Sequence, residues 1–363
     1  MKVSFEISKR RPVFLPGRRP FVACCLLLLA AFGLQAQAAS WRRQKTGTLA
    51  WLRAVFFVDE RRGWAVGGKG ALLATADGGQ TWTPAKPPTE DNLRDAFFVD
   101  ARTGWLVCER EFFKLATKEE PRSYLLKTTD GGETWARVEA TGPDVDARLV
   151  GVRFADAEHG WAFGELGALY ATTDGGRNWA RQRVPTRHLL LGAHFRDARR
   201  GWLSGAGSTL LQTSDGGATW TPGQLPSQAQ ASPSRQQSAQ ASQRQSPPSV
   251  RFNAVAFVGS GRGWAAGSGG SVYATSDGGR TWERQSTGVE ADLYDVKFLD
   301  EREGWAAGAA GTLIHTTDGG RTWAAEESGT RQTLERLFFT GRARGWAVGF
   351  GGTIIGLVNL QKP

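Results

Sequence analysis

From about residue 40 onward, apolar positions come in short runs, mostly alternating with small or polar ones, and each run is cut by Gly or Asp. Residues 293–325 show the unit. Leu293-Tyr294-Asp295-Val296-Lys297-Phe298 comes first, then Gly304-Trp305-Ala306-Ala307-Gly308, then Gly311 to Thr316, and a fourth run begins at Thr322. Runs this short predict strands, and they leave no room for a helix. Gly reaches positive φ freely and Asp bonds its own following amides, so the breaks read as turns.

The unit recurs. Gly-Trp pairs at Trp64, Trp105, Trp161, Trp202, Trp264, Trp305 and Trp346 are spaced 41, 56, 41, 62, 41 and 41 residues apart. Six are followed by a Thr/Ser-x-Asp-Gly-Gly-x-Thr/Asn-Trp turn, with aspartates Asp77, Asp130, Asp174, Asp215, Asp277 and Asp318. A Gly-rich period of about 40 residues predicts an all-β, seven-bladed propeller with four antiparallel strands per blade. The two long spacings are insertions. One, at 108–123, reads as a hairpin or flap in blade two; the other, at 224–249, is a Gln/Ser/Pro-rich run without acids that predicts a disordered loop. The seventh unit stops after three strands, while Trp41 to Thr48 resembles the fourth strands at Trp282 to Val289 and Trp323 to Thr330. The amino-terminal segment is therefore expected to complete the last blade and close the ring, which removes the open sheet edges.

Residues 1–38 have a basic start, an apolar run from Phe21 to Leu34 and an Ala36-Gln37-Ala38 site, the pattern of a signal peptide. The expected mature domain is 39–363, exported to a periplasm, or to a thylakoid lumen in a photosynthetic cell. Removal of the leader takes the formal charge from +10 to about +5, which with export argues against a nucleic-acid partner. Cys24 and Cys25 leave with the leader, so Cys108 has no disulfide partner and packing must hold the domain.

The Asp turns resemble sialidase Asp-boxes, so a carbohydrate-binding or sialidase-like glycosidase propeller is the alternative function. Its chemistry wants a tyrosine nucleophile, a supporting carboxylate and an arginine cluster. Tyr170 and Tyr273 share one strand-c position and read as packing residues, Tyr124 falls on the equivalent strand of blade two, and Tyr294 falls on strand a. An aspartate repeated once per blade reads as a turn residue. His159, His188, His194 and His315 have no metal-ligand spacing. No catalytic residue, metal or cofactor is expected.

Arginine is the informative asymmetry. Turns between strands a and b hold Arg61, Arg62, Arg102, Arg199, Arg200, Arg262, Arg302, Arg342 and Arg344, and the Asp-box turns add Arg177, Arg280 and Arg321. In a four-stranded meander both turn sets share one face, so the arginines form a ring of planar donors suited to an acidic protein segment. At the opposite face, strand a places Arg53, Arg94, Val150, Leu191, Asn253, Tyr294 and Glu335 at one level, where they would line a channel mouth able to take a small ligand.

The phrases Asp300-Glu301-Arg302-Glu303-Gly304-Trp305-Ala306-Ala307-Gly308 and Gly311-Thr312-Leu313-Ile314-His315-Thr316-Thr317-Asp318-Gly319-Gly320 resemble the photosystem II stability and assembly factor family. That resemblance covers Trp41 to Val358. It implies a non-enzymatic scaffold whose arginine-rich face holds a membrane or envelope protein client. In an organism with photosystem II, the implied client is a reaction-centre protein. Glu158 and His159 interrupt the basic ring in blade three.

Overall fold

The computed structural model describes residues 40–358 except 112, 114, 116–119, 139–146, 227–248 and 260. The leader expected at 1–38, part of the flap and most of the Gln/Ser/Pro run lie outside the described residues. Seven four-stranded antiparallel sheets follow one another. Strands a are Leu52–Phe57, Asn92–Phe98, Leu149–Phe154, Leu190–Phe195, Phe252–Val258, Leu293–Phe298 and Leu334–Gly341. Each packs against strand a of both neighbouring blades, and the first meets the seventh, so the sheets form a closed ring around a channel.

Closure runs through the segment that the sequence singles out. Ser40–Arg43 pairs antiparallel with Thr353–Val358, the third strand of blade seven, with Trp41 opposite Leu357. Three side chains of this segment fill repeat positions. Trp41 meets Phe339 edge-on; Gln44 Oε1 accepts from Trp82 Nε1 at 2.8 Å; Thr46 Oγ1 donates to the Gly352 carbonyl at 2.8 Å. Thr287 and Ser328 make the same carbonyl bond in blades five and six.

The blades are held together by an aromatic stack. Phe57, Phe98, Phe154, Phe195, Phe257, Phe298 and Phe339 stand seven residues before the Gly-Trp tryptophans. Six of them stack face to face with the strand-b tryptophan of the preceding blade, as in Trp161 and Phe195 with centroids 3.7 Å apart, and meet the strand-d tryptophan of their own blade edge-on. The edge-on contacts add about 0.5–1.5 kcal/mol per pair beyond area burial. The glycine of each Gly-Trp pair makes the stack fit: a Cβ on Gly201 would come within 2.3 Å of the Phe195 ring. One interface differs. Trp305 lies on His315 at 3.9 Å and only 6.1 Å from Phe339, because strand c of blade six opposes it with a flat imidazole where blades one, three and five have alanine.

In blade two the ladder reaches further than the other hairpins. Strand b runs to Glu109 and strand c starts at Ser123, so the ends of the expected 108–123 insertion are paired strand. Cys108 is fully buried there, in a core cluster with Tyr124.

Candidate functional site

The a-b turns and Asp-box turns share one face, tied by backbone bonds. Gly78, Gly131, Gly216 and Gly319 N–H groups donate to the carbonyls of Arg61, Arg102, Arg199 and Arg302. Within each Asp-box the aspartate organises its own loop. In blade one Thr75 Oγ1 donates to Asp77 Oδ1 at 2.8 Å, Thr81 N–H donates to Oδ1 at 3.0 Å, and the Thr81 hydroxyl donates to Oδ2 at 2.6 Å. The same set recurs at Asp130, Asp215, Asp277 and Asp318, and Asp174 uses Asn178 in place of the second hydroxyl. Gly78 and Gly79, at φ +73° and +80°, supply the left-handed backbone that this loop needs. Hydroxyl donors, followed by backbone N–H groups, hold Asp77, Asp215 and Asp318 down at about 2.

The twelve turn arginines divide into two groups. Arg61, Arg102, Arg177, Arg199, Arg200, Arg280, Arg302 and Arg321 are exposed and have no carboxylate within 4 Å among the described residues. The other four are engaged. Arg62 pairs with Asp59, Arg342 with Asp300 and Glu303, Arg344 donates to the Glu60 carbonyl, and Arg262 lies over Trp264. Each a-b turn except those of blades five and seven also holds an aspartate (Asp59, Asp100, Asp156, Asp197 or Asp300) that accepts the N–H groups two and three residues on. Turn aspartates and Asp-box aspartates together nearly balance the arginines. The face therefore has little long-range field, and an arginine acts there by direct bidentate contact.

The opposite mouth is built by seven β-bulges. In every blade the ladder between strands a and b skips one residue of strand a: Arg53, Arg94, Val150, Leu191, Asn253, Tyr294 and Glu335. A bulge frees a side chain from the pleat and re-aims it. All seven line a single cavity, together with Trp51, Arg251, Thr333 and Arg336. Arg53 lies on the Trp51 ring at 3.9 Å, and Trp51 Nε1 donates to Glu335. Arg94 and Arg148 share Glu109, and Arg148 also pairs with Glu165. Burial, with the neighbouring cation Arg53, lowers Arg94 to about 10. Arg148, Arg251 and Arg336 escape the sequence reading. The signal available was position, since the first two precede a strand-a level residue and the third follows a bulge.

The tyrosine inventory bears on glycosidase chemistry. Tyr124 is bonded to a carboxylate, Asp91 at 2.7 Å. Burial pushes its hydroxyl pKa up, away from nucleophilic ionisation. Among the described residues no three His, Cys, Asp or Glu side chains gather as metal ligands, and no helix is long and apolar enough to cross a membrane.

A closed ring of seven blades, six of them with an Asp-box, with arginines on its turn face and a bulge-lined channel, defines an Asp-box β-propeller. Sequence comparison makes the class specific. The profile of the family described as photosynthesis system II assembly factor YCF48 matches residues 34–109, 82–187, 178–241, 227–314 and 289–358, and the chain belongs to that family. No protein of curated function matches the sequence significantly. Among solved structures, YCF48 bound to D1 peptide is similar at 23% identity and TM-score 0.67, over 88% of this chain and 94% of that one. YCF48 from Cyanidioschyzon merolae is similar at 22% identity and TM-score 0.65, over 89% and 100%. A GH74 xyloglucanase from Xanthomonas campestris shares 15% identity at TM-score 0.63, over 89% of this chain and 54% of that one. At these identities the likeness to solved structures is one of fold.

Proposed function

We propose that this chain is a non-enzymatic, exported assembly factor that holds a segment of a membrane-protein precursor or assembly intermediate on its turn face. Where the organism has photosystem II, the client is a reaction-centre protein. One observation carries the choice of face: eight exposed turn arginines keep their guanidinium donors free of carboxylates among the described residues. The bulge-lined mouth also holds arginines, but Arg94 and Arg148 are already committed to Glu109 and Glu165. Membership of the YCF48 family and the related YCF48 structure with a bound D1 peptide support a peptide-holding role.

The glycosidase alternative draws only on the shared propeller of the GH74 enzymes. The carboxylates around the channel are engaged: Glu335 accepts from Trp51 Nε1 and Glu109 pairs with Arg94 and Arg148. Asp95 and Asp295 each accept a backbone N–H of the next blade and each lie beside a cation, which leaves neither free as an acid or nucleophile. Crosslinking and affinity purification of the tagged protein from intact cells tests the proposal. A discrete membrane-protein partner is expected, and it should vanish with R199E/R200E/R262E/R344E while the melt is kept. Retention of that partner by the reversed face removes the ring from the binding role. Turnover in a panel of fluorogenic glycosides and xyloglucan would instead establish an enzyme.

A further inference from the structure

The end of the channel nearest the turn face is a well of about 350 Å³ with two unlike walls. Blades seven, one and two supply Phe338, Phe56 and Phe97, with Phe56 4.9 Å from Phe338 and 5.3 Å from Phe97. From the same strand position, blades three, four and six supply Arg153, His194 and Lys297, where blade five has Ala256 and lines the well with Val255. One wall is a phenyl arc and the other is cationic.

The cationic wall keeps donors that no protein group takes up. Asp95 is taken by the Arg153 guanidinium and the Val152 N–H. Asp295 accepts from the Val296 and Leu337 N–H groups and stands 3.6 Å from Lys297 Nζ, too far for a hydrogen bond. Arg336, which also lines the well, has no carboxylate within 4 Å among the described residues, and its Nε is buried without a hydrogen-bond partner. Burial, then Lys297 and Arg153, lowers His194 to about 4, so the imidazole is neutral at pH 7. Its nitrogens have no hydrogen bond among the described residues, and the ring tilts against Trp202 at 5.9 Å and Phe257 at 6.1 Å. Asp295, Asp95 and Glu335 act on Arg336 only from a distance, so the wall offers donors: the buried Nε of Arg336 has no partner, and Lys297 Nζ and the His194 nitrogens have no hydrogen bond among the described residues. A buried unmet donor calls for a partner, either water or ligand.

We propose that this well binds a small monocarboxylate carried on an aromatic or branched apolar body, with the carboxylate toward Lys297, His194 and Arg336 and the body on the phenyl arc. The site does not depend on the client reading, because none of the turn arginines lines it.

Isothermal titration of the purified full chain with hydrocinnamate, its neutral primary amide and acetate tests the proposal. Saturable one-site binding of hydrocinnamate is expected, with the amide and acetate each weaker on the order of tenfold, since one lacks the charge and the other the apolar body. Lys297→Met should bring hydrocinnamate down to the level of the amide without changing amide binding or the melt. Val255→Phe should weaken acid and amide together by narrowing the well at blade five. If that variant melts early, Lys297→Met alone decides. The R199E/R200E/R262E/R344E protein should bind hydrocinnamate as the parent does, so failure of this site and failure of the client face are read separately. Equal affinity for acid and amide, indifference to Lys297→Met, or no saturation would mean that the well holds water only.

Discussion

Strand a presents the same side chain at one end in all seven blades, a phenylalanine, and at its bulge six different ones across the seven. The phenylalanine lies between two tryptophans, so every blade solves the same packing problem and repetition is the stable answer. The bulge residue faces the channel, where no neighbouring sheet sets its shape, and it is free to diverge. Stability resides in what the blades share and recognition in what they do not.

The sharpest way to break this comparison is to remove the shared element that only the amino-terminal segment supplies. Deletion of the chain through Thr48 exposes strand c of blade seven as an edge and removes Trp41 and Gln44 from their stack and bond. Loss of a single cooperative melt and the appearance of oligomers in light scattering are expected; an unchanged monomeric melt refutes closure. Trp41→Ala alone should cost about 3–5 kcal/mol by denaturant titration. A smaller effect is expected from Gly201→Ala, whose new methyl meets the Phe195 ring. It should cost about 1–3 kcal/mol, and less in a Phe195→Leu background, a coupling that a double-mutant cycle reads directly.

Acid should act next, through the Asp-boxes. Asp77, Asp215 and Asp318 sit at about 2 in the fold, below the ordinary 3.8. Their stabilisation is complete above about pH 4 and is lost as pH falls through 2. Melting temperature should therefore fall from pH 4 to pH 2, with a shallower slope for Asp215→Asn. The smallest stability change belongs to the unshared positions. Arg199→Glu and Arg200→Glu should each move unfolding by less than about 0.5 kcal/mol, while R199E/R200E/R262E/R344E abolishes partner capture. A loss of several kcal/mol would make those turns structural and blur the division drawn above.

The repeat and its closure were legible because Trp and Asp-Gly-Gly recur at fixed spacing, and Trp41 fits the missing place. The phenylalanine seven residues before each tryptophan was equally periodic, yet its meaning lies in a contact with the preceding blade that spacing alone does not announce. The level of Arg53, Arg94 and Glu335 could be read from register, but not the bulge that turns them into the channel. Asp95 and Asp295 look like ordinary polar residues of a strand; only the ring brings them to the N–H groups of Val152 and Leu337 in the next blade. Turn arginines were visible, whereas the aspartates that balance them needed the turn hydrogen bonds to be placed.

The bond from Thr46 to the Gly352 carbonyl joins positions 306 residues apart. A ribosome adding 5–20 residues per second needs roughly 15–60 seconds to deliver the second after the first. Throughout that interval blade seven does not exist, and the earliest-made strand of the domain waits without its partner. The ring thus has a built-in order of events, in which six blades can stack as they are made and the seventh is completed by the oldest residues meeting the newest. A chaperone that shields a nascent strand would have its longest task here, at Trp41.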